Sequence, residues 1–463
     1  MTISPDEFGA AFKGFMDRMS AEAPPGEAMF ERRLTEHFNE PAHRLPTLSE
    51  SFRSLDHADV QMAMEEEFAG ADEPPFTCGV AGFPSYKSVR LASLVAPLRR
   101  GRMGDDLSEG PVEYVNIRLD GERVMACVQS GLFFYRRDGE PLAILMTGPS
   151  GEFRSNDRVQ LEVMARRREV AEQVLGRIRA SMRKRSVYRG RMISLVERRL
   201  DEPTIRFHAL PEITRENIIL PPGLLDRVER LTVRFSALAH ELHSAGRHLK
   251  RGVLLHGPPG TGKTLTAMYV ARAIRDRTVI LLTGRGQAMI EQSCILARAL
   301  QPSIVILEDV DLVAEERGKR MASPLLIELL NQMDGLTDDA DVLFLLTTNR
   351  PEILEPALAA RPGRVDQAIE IPLPDAACRR RLFELYAQKL ALGAVDWSHF
   401  IDRTEGASGA FIRELLRKAA LFAADEPSQT VEHRHLNQAL HELVVEGGLL
   451  TQKVLGFAAA AAT

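Results

Sequence analysis

Long apolar runs are missing from this 463-residue chain: none approaches the roughly 18 residues that a bilayer-spanning helix needs, so no such helix is expected. Cysteine is scarce. The four present, Cys78, Cys127, Cys294 and Cys378, are scattered without paired spacing, which excludes a disulfide framework and reads as ordinary reduced thiols. An excess of positive charge is lacking too. A formal net charge of −5 argues against a protein held to nucleic acid by its global charge, although a local basic patch stays open. The first twenty residues carry Asp6 and Glu7 ahead of Phe8 and no small-residue cleavage site behind an apolar block, so no secretory leader is expected. A soluble, cytoplasmic protein of two or three domains is the expectation.

What is present changes character along the chain. Residues 1 to about 65 place Phe8, Ala11, Phe12, Phe15 and Met19 at three- and four-residue spacing, which predicts helix with a core-facing stripe or a docking face. The acidic, proline-bearing stretch 65–75 reads as a linker. Short strands follow at 112–119, 122–129, 132–137, 141–146 and 159–164, with Asp120-Gly121 and Asp138-Gly139 as hairpin turns and a helix over 169–184. Ten Arg or Lys lie from Arg166 to Arg191 against Glu169 and Glu172; with no aromatic residue before Tyr188, a solvated helix face or subunit contact is favoured over nucleic acid. Apolar runs at 252–256, 279–283, 304–307 and 342–347 then alternate with helical stretches, as in a parallel sheet with crossover helices. After Pro374 helices return near 376–392, 408–424 and 431–446, and the alanine run 458–462 is low in complexity. The expected domains are a helical region 1–70, an α+β domain 71–210, an α/β domain 211–375, and a helical domain with its tail over 376–463.

The chemistry concentrates in Gly257-Pro258-Pro259-Gly260-Thr261-Gly262-Lys263-Thr264, set between a buried-strand run and a predicted helix. Glycines let backbone N–H groups turn onto phosphate oxygens at a helix N-terminus. Lys263 would reach the β- and γ-phosphates, and the Thr264 hydroxyl would hold Mg²⁺. A second apolar strand ends in the adjacent carboxylates Glu308 and Asp309, at the sheet edge where α/β folds bind ligands. One carboxylate would position Mg²⁺ and the other would orient the attacking water. A third strand leads to Thr348-Asn349, where Asn349 could bond the γ-phosphate or the water, or serve as a plain turn asparagine. Arg361 and Arg364 carry permanent, forked charges that could complete a neighbouring subunit's site, or form surface ion pairs.

These stretches resemble the Walker A, Walker B, sensor-1 and arginine-finger elements of AAA ATPases, in that family's order. Gly406-Ala407-Ser408-Gly409-Ala410 resembles the start of the family's lid helix. The resemblance covers about 211–446. It implies an α/β, Rossmann-like P-loop core with a C-terminal helical lid, preceded here by a helical segment and an α+β domain. It implies ATP and Mg²⁺ as cofactors, with nucleotide contacts from Gly257, Pro258, Pro259, Gly260, Thr261, Gly262, Lys263, Thr264, Leu265, Gly409 and Ala410. It also implies a homo-oligomeric ring of six or seven subunits that remodels or chaperones a protein partner or adaptor through 1–210.

Two departures stand out. The family's Asp-Glu pair is replaced by Glu308-Asp309, so by alignment Glu308 takes the metal position beside Thr264 and Asp309 the position of the base. Residues 284–301 carry no Phe, Tyr or Trp, the residues that protein-threading relatives place on a pore loop; Met289, Ile290, Ile295 and Leu296 are among the larger apolar residues there. Both departures, with Val365-Asp366 after Arg364, are similar to the mitochondrial AAA chaperones that translocate the folded Rieske iron–sulfur protein. The membrane helix of those chaperones is not found in this sequence, so translocation across a membrane is not expected, whereas action on folded partners is. A nucleotide-gated regulatory scaffold and a DNA-directed motor acting through the basic run are the competing expectations.

Overall fold

The computed structural model describes residues 29–81, 89–95, 107–119, 123–149, 158–197, 203–283, 289–311, 324–334, 340–354, 365–427 and 429–446. The chain divides into two compact units, Met1–Val187 and Tyr188–Thr463. In the first, α1 (Met29–Phe38), β1 (Thr47–Arg53) and α2 (His57–Ala69) precede β2 (Phe76–Ala81), β3 (Ser108–Gly110), β4 (Glu113–Arg118), β5 (Val124–Arg137), β6 (Glu140–Thr147), β7 (Arg158–Ala165) and α3 (Arg168–Lys184). The strands form an antiparallel sheet ordered β1-β7-β6-β5-β2-β3, with β4 laddered onto the first half of β5. Successive strand residues face opposite ways, and here both faces are covered. Phe133, Tyr135, Leu142, Ile144, Leu161 and Val163 pack with Val60 and Met64 of α2 and Val174 and Ile178 of α3. Leu132, Phe134, Ala143, Leu145 and Met164 pack instead with Phe30, Leu34 and Phe38 of α1.

The Asp138-Gly139 hairpin forms as expected, with φ of +54° and +76°, and its two N–H groups donate to the Asp72 carboxylate at 3.0 and 2.9 Å. The Asp120-Gly121 turn lies outside the described residues, as do Phe8, Ala11, Phe12, Phe15 and Met19. The 122–129 and 132–137 runs are one strand, β5, because Ser130 and Gly131 stay extended and ladder onto Thr147 and Met146 of β6. β1 lies inside the region expected to be helical, drawn out by its ladder with β7. The acidic start of the expected linker is the last turn of α2. Glu67 there is 3% exposed, receiving hydrogen bonds from Tyr135, Arg137 and Arg177. The basic run is engaged too, mostly in solvent-exposed pairs: Arg166, Arg167, Arg168, Arg177, Arg179 and Arg185 pair with Glu40, Glu140, Glu172, Glu67, Glu50 and Glu66.

The second unit runs β8 (Met192–Glu197), β9 (Pro203–His208), α4 (Leu224–Glu229), β10 (Arg251–His256), α5 (Lys263–Ala273), β11 (Thr278–Leu282), α6 (Ile290–Ala299), β12 (Ser303–Leu307), α7 (Pro324–Asp334), β13 (Val342–Thr348) and β14 (Gln367–Glu370). Helices α8 (Ala376–Ala387), α9 (Trp397–Arg403), α10 (Gly409–Ala424) and α11 (His433–His441) close it. The sheet order is β14-β10-β13-β12-β11-β8-β9, parallel from β14 to β8, with β9 antiparallel at the edge. Strands buried on both faces read as continuous apolar runs, which is why 252–256, 304–307 and 342–347 were legible. Val253, Leu255, Ile304, Ile306, Leu343 and Leu345 share a core with Ala267, Val270 and Ala271 of α5. The pattern assigns 192–208 to the α+β domain, but Met192 and Ile193 pair in parallel with Val279 and Ile280, so β8 and β9 extend the second sheet.

The helical appendix packs α8 to α11 around Phe383, Phe400, Phe411, Leu415 and Leu436. Asp375, Asp396 and Ser408 cap three of these helices by accepting backbone N–H groups. Of the apolar residues between 284 and 301, Met289, Ile290 and Leu296 are buried at or in α6, while Ile295 is 43% exposed. Among the described residues no helix is long and apolar enough to cross a membrane.

Candidate functional site

β10 hands the chain to α5 through a loop that only glycine can shape. At Gly257 φ is +142°, and a Cβ there would stand 2.2 Å from the Ile371 carbonyl oxygen. At Gly260 φ is +74°, and a Cβ would stand 2.6 Å from Ser408 Oγ. The curl is braced by Thr261 Oγ1 donating to Pro258 O at 2.9 Å, and it delivers Lys263 as the first residue of α5. Lys263 is 6% exposed, and its Nζ donates to the carbonyls of Gly257 and Pro258 at 2.9 and 2.8 Å. Burial pushes its pKa down to about 8, against the opposing pull of Asp309 and Asp311. A polyphosphate is the partner that would reverse that shift, and the cradle fits one on this ground.

The carboxylates arrive on β12, two strands away, with β13 between. Glu308 is half-buried. Burial raises its pKa, a hydrogen bond with the Thr264 hydroxyl opposes the shift, and the charge of Asp309 adds to it. Thr264 and Glu308, the pair assigned to the metal, are therefore in contact. Asp309 turns out of the strand at φ +50°, a left-handed conformation that aspartate tolerates. Its N–H donates to Thr347 Oγ1 at 3.1 Å, and its Oδ1 accepts from Asn349 Nδ2 at 3.1 Å. No group of three or more His, Cys, Asp or Glu among the described residues forms a metal site of its own. Mg²⁺ commonly takes one or two protein ligands and completes its shell with phosphate oxygens and water.

Beside the cradle lies a recess lined by residues 217–221, Gly260, Gly262, Leu265, Thr266, Pro374, Leu382, Tyr386 and Gly409. Gly409 and Ala410 open α10, and the Ala410 N–H donates to Gly260 O at 3.1 Å, tying the lid to the cradle. Arg215, just before the recess, pairs with Asp226 and Glu229, and Glu229 also accepts from Tyr269 on α5. The structure thus brings together 257–265, Glu308, Asp309, Asn349, Gly409 and Ala410, whereas Arg361 and Arg364 lie outside the described residues. Sequence reasoning missed the recess segment 217–221, whose residues carry no motif. Thr347, Thr348 and Asp311 lie within or beside the stretches that sequence reasoning singled out, but it gave them no role.

Residues 253–373 match the family model described as ATPase family associated with various cellular activities (AAA). The chain is 36% identical over 209 residues to the 26S proteasome regulatory subunit 4 homolog of Oryza sativa subsp. japonica, covering 42% of this chain and 46% of that protein. It is 32% identical over 218 residues to the proteasome-activating nucleotidase of Thermococcus onnurineus, covering 44% and 54%. Over 254 residues it is 34% identical to the proteasome-activating nucleotidase of Methanocella arvoryzae, covering 51% and 60%. The chain spans about half the length of the curated relatives it matches.

Proposed function

We propose that this chain, a member of the AAA+ ATPase superfamily, binds MgATP in the cradle and hydrolyses it to ADP and phosphate. One observation carries the reading: three neighbouring parallel strands, β10, β13 and β12, end respectively in a buried lysine's loop, Asn349, and the pair Glu308-Asp309. Lys263 and the N–H groups of α5 hold the phosphates, with the purine in the recess. Thr264 and Glu308 would hold Mg²⁺, which when bound neutralises charge on the phosphoryl oxygens. Asp309 takes the proton of the attacking water while Asn349 orients that water in line with the leaving oxygen. Arg361 and Arg364 act on the site of the adjacent subunit in a homo-oligomeric ring.

Mixing subunits tests this reading. Asp309→Asn chains that keep their arginines should partly restore turnover to Arg361→Ala/Arg364→Ala chains, because a mixed interface contains one complete site. Mixed rings that form and stay inactive at every ratio would refute the trans role.

The work done by hydrolysis is proposed to be remodelling of a protein partner engaged through 1–210, in a soluble, cytoplasmic setting. Relatives carrying the names proteasome-activating nucleotidase and proteasome regulatory subunit support a protein partner. The order Glu308-Asp309, and an antiparallel sheet joined to a basic helix, support the narrower likeness to the Rieske-protein chaperones and hence a partner handled folded. ATP-driven release of unfolded reporter, fused to a captured partner, into a trap would refute that narrower reading.

A further inference from the structure

The ends of β12 and β13 are joined by more than the contact between Asn349 and Asp309. Asp311, 6% exposed, accepts the Thr348 hydroxyl at 2.7 Å and the Asn349 N–H at 3.2 Å on a single oxygen, Oδ1. Thr348, fully buried, accepts the Arg350 N–H at 3.0 Å with the same hydroxyl. One carboxylate oxygen therefore fixes the hydroxyl rotor of residue 348 and the main chain of residue 349. The hydrogen bonds run in one direction, from Arg350 N–H to Thr348 O–H to Asp311, so each polarises the next. The side chain leaving the fixed Cα of Asn349 is the one that meets Asp309.

We propose that Asp311, acting through Thr348, is a positioning residue that holds Asn349 in register with Asp309. The inference rests on the ATPase reading and adds two residues to it. Asn349 is the first residue after β13 ends at Thr348, so the strand's ladder does not itself hold it. Orienting a water for in-line attack is geometrically demanding, and a misplacement of about 1 Å can cost about 100-fold in rate. The rival explanation is electrostatic, since the charge of Asp311 also acts on Lys263. The two differ in what a neutral residue of the same shape should do.

The test measures kcat, KM and equilibrium ATP affinity on the full chain. Thr348→Val, which keeps shape and removes the hydroxyl, should lower kcat by about 10- to 100-fold while ATP affinity stays within about threefold. Thr348→Ser should restore kcat to within about threefold of wild type. Asp311→Asn keeps an acceptor oxygen and loses the charge, so it should cost less than about threefold in kcat. In an Asn349→Ala background, Thr348→Val should add less than about twofold, because the residue it positions is gone. If the valine variant does not fold, Thr348→Ala carries the same expectations. An unchanged kcat in the valine variant, an undiminished effect in the Asn349→Ala background, or an Asp311→Asn loss as large as that of Thr348→Val would each overturn the proposal. A wild-type chain without ATPase activity would overturn the functional reading and this inference together, whereas an active wild type with any of those three results overturns this inference alone.

Discussion

The two sheets of this protein handle buried charge in opposite ways. In the antiparallel sheet, Glu67 is sealed in by its own neighbours: Arg177 grips both carboxylate oxygens, Arg137 takes one and Tyr135 donates to the other. In the parallel sheet, Lys263 is equally buried but among the described residues its ammonium donates to two backbone carbonyls, and burial drags its pKa down. Glu67 is neutralised within the fold, so its environment has reached a resting point. Lys263 sits in a site whose electrostatics improve when an anion arrives. The lesson is that burial of charge alone does not mark a functional site; what marks it is a buried charge whose best partner is not part of the chain.

Three experiments press on that contrast. The largest effect is expected at the cradle. Lys263→Ala should weaken ATP binding by about 100-fold or more, since the lost ammonium is the cradle's own cation, while Asp309→Asn should keep affinity and lose about 100-fold in turnover. Isothermal titration beside steady-state assays separates the two. If Glu308→Gln instead shows bound but unhydrolysed ATP, and Asp309→Asn mainly weakens Mg²⁺ dependence, the two carboxylates exchange roles. The next effect should fall on stability. Glu67→Ala strands Arg177 and Arg137, and because both are partly solvated the cost should be about 2–4 kcal/mol, below that of a wholly buried pair. Urea unfolding followed by a probe in the first unit reads this, and unchanged stability would show that Glu67 is as dispensable as a surface acid.

The smallest effect is a pH dependence. With Lys263 at about pKa 8 in the free chain, binding above that pH must take up a proton, so ATP affinity should fall by about tenfold between pH 7 and pH 9. The stability term has the opposite sign. The unfolded lysine binds a proton that the folded one lacks from about pH 8 up to its unfolded pKa near 10.4, so this group makes the free protein more stable as pH rises through that window. Comparing wild type with Lys263→Met isolates both terms, and parallel pH profiles for the two proteins would remove Lys263 from the account.

The parts of this architecture that were legible in the sequence are those in which residue identity alone dictates geometry. Buried parallel strands must be apolar throughout, and a tight strand-to-helix loop favours glycine where φ is positive, so β10, β12, β13 and the glycine-rich loop 257–262 were readable. What stayed hidden depends on distant partners. β1 is a strand because β7 offers it a ladder more than a hundred residues later, and β8 leaves the first unit because β11 offers it an edge. Glu67 read as linker charge because its three partners come from β5 and α3, which no local pattern could connect to it. Asp311 was visible as a residue but not as a brace, since its role is set by a hydroxyl on another strand.

The hydrogen bond from Ala410 to Gly260, and the ladder from β14 to β10, also impose an order in time. A ribosome adds about 5–20 residues each second, so the loop at 260 would be made roughly 8 to 30 seconds before the start of the helix that braces it. Through that interval the second unit has the strand that begins the cradle and lacks the elements that close it. The first unit, encoded wholly upstream, can settle meanwhile. A nascent chain truncated before residue 410 should therefore emerge with its first unit able to fold and its second lacking the contact that braces Gly260.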